Sequence, residues 1–222
     1  MKEVTGLLVM DVDGTLVRQE GIDLLAQEAG VGEKVAEITA QAMNGELDFA
    51  ASLEARVALL KGLETSIFPK ILEQMEVTPG AKTLITELHQ RGYKVGLVSG
   101  GFHEVIDPIA RSLGIDLVRA NRLQAFDGRL TGKVLGEIVT PERKKDSLLT
   151  WVRENHIPRS QTIAMGDGAN DLPMIETAGI GIAFMAKPIV AERAPYRIET
   201  RDLSLVLEII DQHRKETACI SY

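Results

Sequence analysis

Residues 7–16 read LLVMDVDGTL. Four apolar residues, Leu7 to Met10, run without polar alternation, which is how a strand buried on both faces of a parallel sheet reads. Where that run ends stand Asp11 and Asp13, and in extended backbone a spacing of two turns both side chains to the same face. Two carboxylates there can hold a hard cation, or one can attack while the other handles protons. The stretch is read equally well as an Asp-Gly turn closing a strand. The rest of the chain has to decide.

Short apolar runs recur at 95–99, 117–120, 162–165 and 179–184, each bounded by Gly, Asp or Pro. Amphipathic helical patterns lie between most of them, at 81–91, 103–113 and 142–155. This alternation predicts an α/β fold with a doubly wound, mostly parallel sheet, whose ligands bind beyond the carboxyl ends of the strands. Residues 17–76 break the pattern. Four helical segments near 21–29, 34–43, 49–60 and 67–75 are punctuated by Gly30-Val31-Gly32, Asn44-Gly45 and Gly62, which predicts a helical bundle inserted after the first strand and seated above the strand ends as a lid. The expected division is a core of 1–16 and 77–222 and a helical cap of 17–76. Asp127-Gly128, between two β-rich runs within 122–134, signals a small hairpin. The polar tail beyond Arg214 is expected to fray.

Bulk properties narrow the function. The chain has 222 residues, 45% of them hydrophobic and 26% charged, and a net charge of −7. An acidic balance argues against a nucleic-acid partner, which calls for a basic face. No apolar run approaches the roughly 20 residues that cross a bilayer, and the apolar start is too short for a signal peptide, so no membrane partner and a cytoplasmic location are expected. A single cysteine, Cys219, excludes an internal disulfide and a cysteine-based metal site within one chain.

Further polar clusters follow the other strands. Gly166-Asp167-Gly168-Ala169-Asn170-Asp171 comes after TIAM. It imitates a dinucleotide fingerprint, but Asp171 stands where the third glycine would be, and an acidic strand end repels pyrophosphate. Carboxylates at two strand ends are instead the layout for one Mg²⁺ ion. Ser99-Gly100-Gly101 offers a hydroxyl and backbone N–H groups, expected at a strand-to-helix turn, as a cradle for phosphate oxygens. A nucleophilic serine would need a GxSxG elbow, and Leu97 stands where its first glycine belongs. His103 is a lone histidine nearby. Arg143-Lys144-Lys145 can be a solvated charge run, yet a site with several carboxylates and a phosphate needs a fixed cation.

Strand–DxD, strand–Ser, Lys, then strand–GDGxND, in that order, resemble the motif set of the haloacid dehalogenase-like phosphatases. The strings VSGGF (98–102), ANRL (120–123), GDGANDLPMI (166–175) and AKP (186–188), with Glu20 and Arg56 in the insertion, resemble the phosphoserine phosphatases among them. The resemblance implies a Rossmann-like core and hydrolysis of O-phospho-L-serine, the closing step of serine synthesis. It implies Asp11 as nucleophile and Asp13 as acid and then base. Mg²⁺ would be held by Asp11, the Asp13 carbonyl and Asp167, with Asp171 supporting the metal waters or Lys144. Ser99, Gly100, Lys144 and Asn170 would bind the phosphoryl group. Arg56 and Glu20 would meet the substrate's carboxylate and ammonium, behind walls formed by Met43 and Phe49. On a helical wheel Phe49, Leu53, Val57 and Leu60 share a sector with Arg56 at its edge, which suits an inward-facing Arg or one that snorkels to water.

One departure bears on substrate: members of that group usually read DxDST, where this chain has Gly14. Rival expectations are the same chemistry on another small phosphomonoester, phosphoryl transfer to homoserine, or a non-catalytic metal- or phosphate-binding module. The start at the first strand predicts no appended regulatory domain, and a monomer or homodimer is expected.

Overall fold

Six parallel strands form the centre of the protein, a computed structural model describing residues 4–43 and 46–220; the side chains of 43 and 217–220 lie outside the described set. The strands are β1 (Gly6–Met10), β2 (Tyr93–Phe102), β3 (Leu117–Asn121), β6 (Thr162–Gly166), β7 (Ile180–Phe184) and β8 (Tyr196–Ile198), in the order β3-β2-β1-β6-β7-β8. The two remaining strands, β4 (Leu123–Phe126) and β5 (Arg129–Val134), make the predicted hairpin. Its turn residues Asp127 and Gly128 have φ of 48° and 72°. Positive φ at both is what a tight type I′ turn requires.

β1 lies between β2 and β6, Leu7 pairing with Lys94 on one side and Thr162 on the other. From β1 the chain winds outward through β2 and β3, then returns to lay β6, β7 and β8 on the other flank, so the winding reverses beside β1. Ligands of open parallel sheets bind at such a reversal. Every residue of β1 is buried, and its side chains alternate between two cores: Leu8 and Met10 face one, Leu7 and Val9 the other.

Between β1 and β2 run α1 (Gly21–Glu28), α2 (Gly32–Met43), α3 (Phe49–Ala58) and α4 (Phe68–Gln74). α1 packs on α2 and α4, and α2 on α3. The segments that leave and re-enter the sheet region run side by side: Arg18 N donates to Glu76 O at 3.0 Å and Thr78 N to Leu16 O at 2.8 Å. The β4–β5 hairpin is stitched to the connection after α3, with Gly62 N donating to Leu130 O at 2.8 Å and Leu130 N to Leu63 O at 2.9 Å. The core helices are α5 (Ala81–Gln90), α6 (His103–Leu113), α7 (Pro141–Glu154), α8 (Leu172–Thr177), α9 (Pro188–Arg193) and α10 (Val206–Ile220). No described helix is long and apolar enough to cross a membrane.

Two expectations are corrected. β2 continues through Ser99, Gly100 and Gly101 to Phe102, so Ser99 lies inside a strand and the turn into α6 comes only at His103. Pairing with β3 shifts register between Val98 and Phe102, the signature of a bulge, which re-aims the backbone at the strand end. Residues 215–220 are helical rather than frayed: α10 continues to Ile220. Its earlier residues Val206 and Ile210 are fully buried, and Asp211 is clamped by Arg91 at 2.6 Å. α8, α9 and β8 escaped the sequence reading because six, six and three residues are too few to establish a period.

Candidate active site

The carboxyl ends of β1, β2 and β6 converge on a cluster of charges. Asp11 continues the line of β1, its N–H donating to Met165 O at 3.0 Å. Lys144 reaches it from α7, whose start is set by Pro141 and by Thr140, the hydroxyl of which accepts from Arg143 N at 3.3 Å. Ser147, Leu148 and Trp151 on the same helix are buried, so α7 is pinned along its length. A lysine in the first turn of a helix opposes the helix dipole. Two carboxylates offset that: Lys144 Nζ donates to Asp11 Oδ1 and to Asp171 Oδ1, each at 2.7 Å, with the lysine wholly buried.

The electrostatics follow from this crowding. Burial, and next the neighbouring Asp171 charge, push the Asp11 carboxyl well above its ordinary range, with Lys144 pulling it back. Burial alone would favour a neutral Lys144, but Asp11 and Asp171 outweigh it and hold the ammonium more firmly protonated than an ordinary lysine. Asp167 is raised to about 6 by burial and by Asp171. Asp11, Asp167 and Asp171 each offer an oxygen within 4.8 Å of the others. Metal–oxygen bonds of about 2.1 Å let ligands of one small divalent ion stand at most about 4.2 Å apart, so a carboxylate movement of about half an ångström is enough for these three to share such an ion.

Asp13 has separate surroundings. Its Oδ1 accepts from Gly21 N at 2.9 Å, at the start of α1, and its Oδ2 accepts from Ser99 Oγ at 3.2 Å. Its carboxylate is thus engaged away from the cluster of three. Burial raises its pKa as well, opposed by these two hydrogen bonds. Ser99 is fully buried, and its Oγ also accepts from Gly101 N at 2.7 Å, so in this arrangement the hydroxyl holds Asp13. Gly101 is required by close approach: a Cβ there would lie 2.5 Å from Asp13 Oδ2. Gly14 is required twice over, by its φ of 75° and because a Cβ would stand 2.8 Å from Asp167 Oδ2. In this chain the glycine that departs from the DxDST pattern is therefore the one that lets the β1 and β6 loops touch. His103 is occupied elsewhere, bonded to Asp107 at 2.7 Å and accepting from Ala120 N at 3.3 Å.

Above the charges opens a cavity of about 700 Å³. Asp11, Asp13, Asp167 and Asn170 line its floor with Gly100 and Gly101, while Glu20, Phe49 and Arg56 come from the helices. Phe49 packs over Gly100, where a Cβ would meet the ring at 2.9 Å. Arg56 is half-buried, and its Nε donates to Ser52 O at 3.2 Å. Burial lowers its pKa, and the Asp23 and Glu20 charges counter this. Glu20 precedes α1, and burial together with Asp13, Asp167 and Asp23 raises it to about 8. The structure thus gathers around one cavity all the site residues expected from sequence except Met43, whose side chain lies outside the described residues. Ser99, Lys144 and Asp171 stand behind the cavity wall.

Asp23, Ser52 and Lys187 are among the lining residues that the sequence reading passed over. Asp23 is one helical turn beyond Glu20, Ser52 one turn before Arg56, and Lys187 lies in the AKP string, its N–H donating to Asp167 O at 3.0 Å. The helical spacings could have found the first two.

Comparison with known proteins agrees with this geometry. Residues 8–176 match the family model of the haloacid dehalogenase-like hydrolases. A phosphoserine phosphatase of Streptococcus thermophilus is 63% identical over 212 residues, which cover 96% of this chain and 99% of that protein. A solved structure of a phospho-aspartyl intermediate analogue of phosphoserine phosphatase superposes with a TM-score of 0.87 at 44% identity, covering 93% of this chain and 99% of the other. A substrate-bound phosphoserine phosphatase complex matches with the same TM-score and identity over 94% of this chain and 99% of the other.

Proposed function

The chain belongs to the phosphoserine phosphatases of the haloacid dehalogenase-like hydrolase family, and from that premise we propose that it hydrolyses O-phospho-L-serine to L-serine and phosphate in a Mg²⁺-dependent reaction. The observation that carries this reading is a cavity whose two ends differ. Its floor is a carboxylate cluster backed from behind by a buried lysine, suited to a phosphoryl group and a metal, and its helical wall presents the cation Arg56 and the anion Glu20. A substrate with a phosphate at one end and a carboxylate and an ammonium at the other matches that division.

In this reading the Asp11 carboxylate attacks phosphorus, forming an aspartyl-phosphate as the serine oxygen leaves with a proton from Asp13. Asp13, then a base, takes a proton from the water that attacks the acyl phosphate, and phosphate is released. The raised pKa of Asp13 supports its starting as the acid. Lys144 keeps Asp11 anionic and oriented, and with Ser99, the Gly100 N–H and Asn170 it serves the phosphoryl group. Asp11, Asp167 and the Asp13 carbonyl would hold Mg²⁺, with Asp171 close enough to join; the ion would supply charge neutralisation at the phosphoryl oxygens. Arg56 takes the carboxylate and Glu20 the ammonium, with Met43 and Phe49 excluding water. Residues 17–76 act as the cap on a core of 1–16 and 77–222, a division supported by the side-by-side segments at Arg18 and Glu76. The same reading sets the enzyme in the cytoplasm as a monomer or homodimer, without nucleic-acid or membrane partners, in keeping with its net charge of −7.

The test is a turnover profile over phosphoserine, phosphothreonine, phosphoethanolamine and sugar phosphates, with Mg²⁺ and with EDTA. Phosphoserine should lead and EDTA should abolish turnover. A flat profile would contradict the substrate assignment, and turnover in EDTA the metal.

A further inference from the structure

Among the described residues two buried side-chain hydroxyls have no hydrogen-bond partner, Thr15 Oγ1 and Ser52 Oγ. Of the two, only Ser52 lines the cavity. It sits on α3 at 1% exposure, one turn before Arg56. Its backbone is fully engaged, N donating to Asp48 O at 3.0 Å and O accepting from Arg56 Nε at 3.2 Å. The second of these bonds spends the Nε of Arg56 and turns its two terminal nitrogens into a fork.

A buried Ser or Thr in a helix normally returns its hydroxyl to the carbonyl four residues back. Elsewhere in this chain that happens: Thr39 donates to Val35 O at 2.9 Å, Ser147 to Arg143 O at 2.7 Å and Thr177 to Pro173 O at 2.6 Å. Ser52 forgoes that bond. A hydroxyl that is buried, unpaired and on a cavity wall is a group held for a ligand, because leaving it unmade costs stability with nothing in return. Its neighbour decides the ligand's chemistry. Beside a guanidinium whose terminal N–H groups meet no hydrogen-bond partner among the described residues, the ligand atom it meets is anionic.

We propose that Ser52 is a specificity-determining residue, its Oγ–H donating to the carboxylate of an amino-acid phosphomonoester while the Arg56 fork takes the same carboxylate. This rests on the substrate reading above and adds a second donor to it. The cap thereby recognises a carboxylate with two residues one helical turn apart.

The experiment compares wild type and Ser52→Ala on O-phosphoserine and on phosphoethanolamine, which keeps the ammonium and lacks the carboxylate, and measures the melting temperature of the free protein. Loss of a neutral donor to a charged acceptor should raise KM for phosphoserine about 10-fold, with kcat and the KM for phosphoethanolamine changed by less than about twofold. The free variant should melt no lower than wild type, since no bond within the protein is lost and Ala favours the helix. Equal KM changes on both substrates, no change on phosphoserine, or a lowered melting temperature would each overturn the assignment. A wild type that does not prefer phosphoserine over phosphoethanolamine would defeat the substrate reading itself. A wild type that does, with its preference intact in the variant, defeats the role of Ser52 alone.

Discussion

Replacing Lys144 with Met isolates the charge that organises the site. Met fills similar volume with an unbranched apolar chain, so packing changes little and the effect is electrostatic. The lysine donates at 2.7 Å to both Asp11 and Asp171, with side-chain exposures of 0%, 7% and 0% for the three groups. Removing one partner of a buried pair costs about 3–5 kcal/mol. At about 2–4 °C per kcal/mol for a chain of this size, the melting temperature should fall by roughly 6–20 °C near pH 8. The sign of the pH dependence follows. Burial and Asp171 already raise the Asp11 pKa, and Lys144 is what pulls it down, so the variant's Asp11 titrates higher still. Its folded state then binds protons that the unfolded chain has released, and its stability declines as pH rises from the unfolded value of about 3.9 through the raised folded one. Acidification to about pH 5.5 should therefore narrow the gap to wild type. Circular-dichroism melts in EDTA at both pH values measure it. A loss below about 2 °C at the higher pH, or equal losses at both, would refute the reasoning.

Other perturbations separate the remaining parts. Gly14→Ala places a Cβ against the Asp167 carboxylate in a left-handed backbone, costing about 1–2 kcal/mol before Asp167 moves; the Mg²⁺ concentration for half-maximal activity should rise, and an unchanged Mg²⁺ titration would count against the contact. Glu20, raised to about 8, destabilises the fold as pH climbs from its unfolded value through the folded one. Glu20→Gln should match wild type near pH 5 and melt about 2–4 °C higher near pH 9, a gain kept small because Glu20 lines an open cavity where solvent screens its charge. Arg56→Ala should raise KM for phosphoserine far more than for p-nitrophenyl phosphate, which has no carboxylate; parallel changes would remove Arg56 from the binding wall.

The sheet was legible because β1, β6 and β7 are buried on both faces and so spell continuous apolar runs. The acidic cluster was legible because Asp11 and Asp167 directly follow such runs, with Asp13 and Asp171 a few residues further on. The true end of β2 was not, since glycines read as a turn, whereas Gly100 and Gly101 extend the strand to make room for Phe49 and Asp13. The engagement of Ser99 with Asp13 was likewise hidden, because it links residues from two strands that only the fold brings together. Gly14 read as a departure from a pattern, and its meaning depends on Asp167, which approaches it from the far side of the chain.

The central claim is that Asp11 becomes covalently phosphorylated. Mixing enzyme with phosphate-labelled O-phosphoserine, quenching in acid within a turnover and sequencing the labelled peptide tests it directly. The account predicts an acid-stable, hydroxylamine-labile label on the peptide carrying Asp11, absent from Asp11→Asn. Label on Ser99, or undiminished turnover by Asp11→Asn, would contradict it.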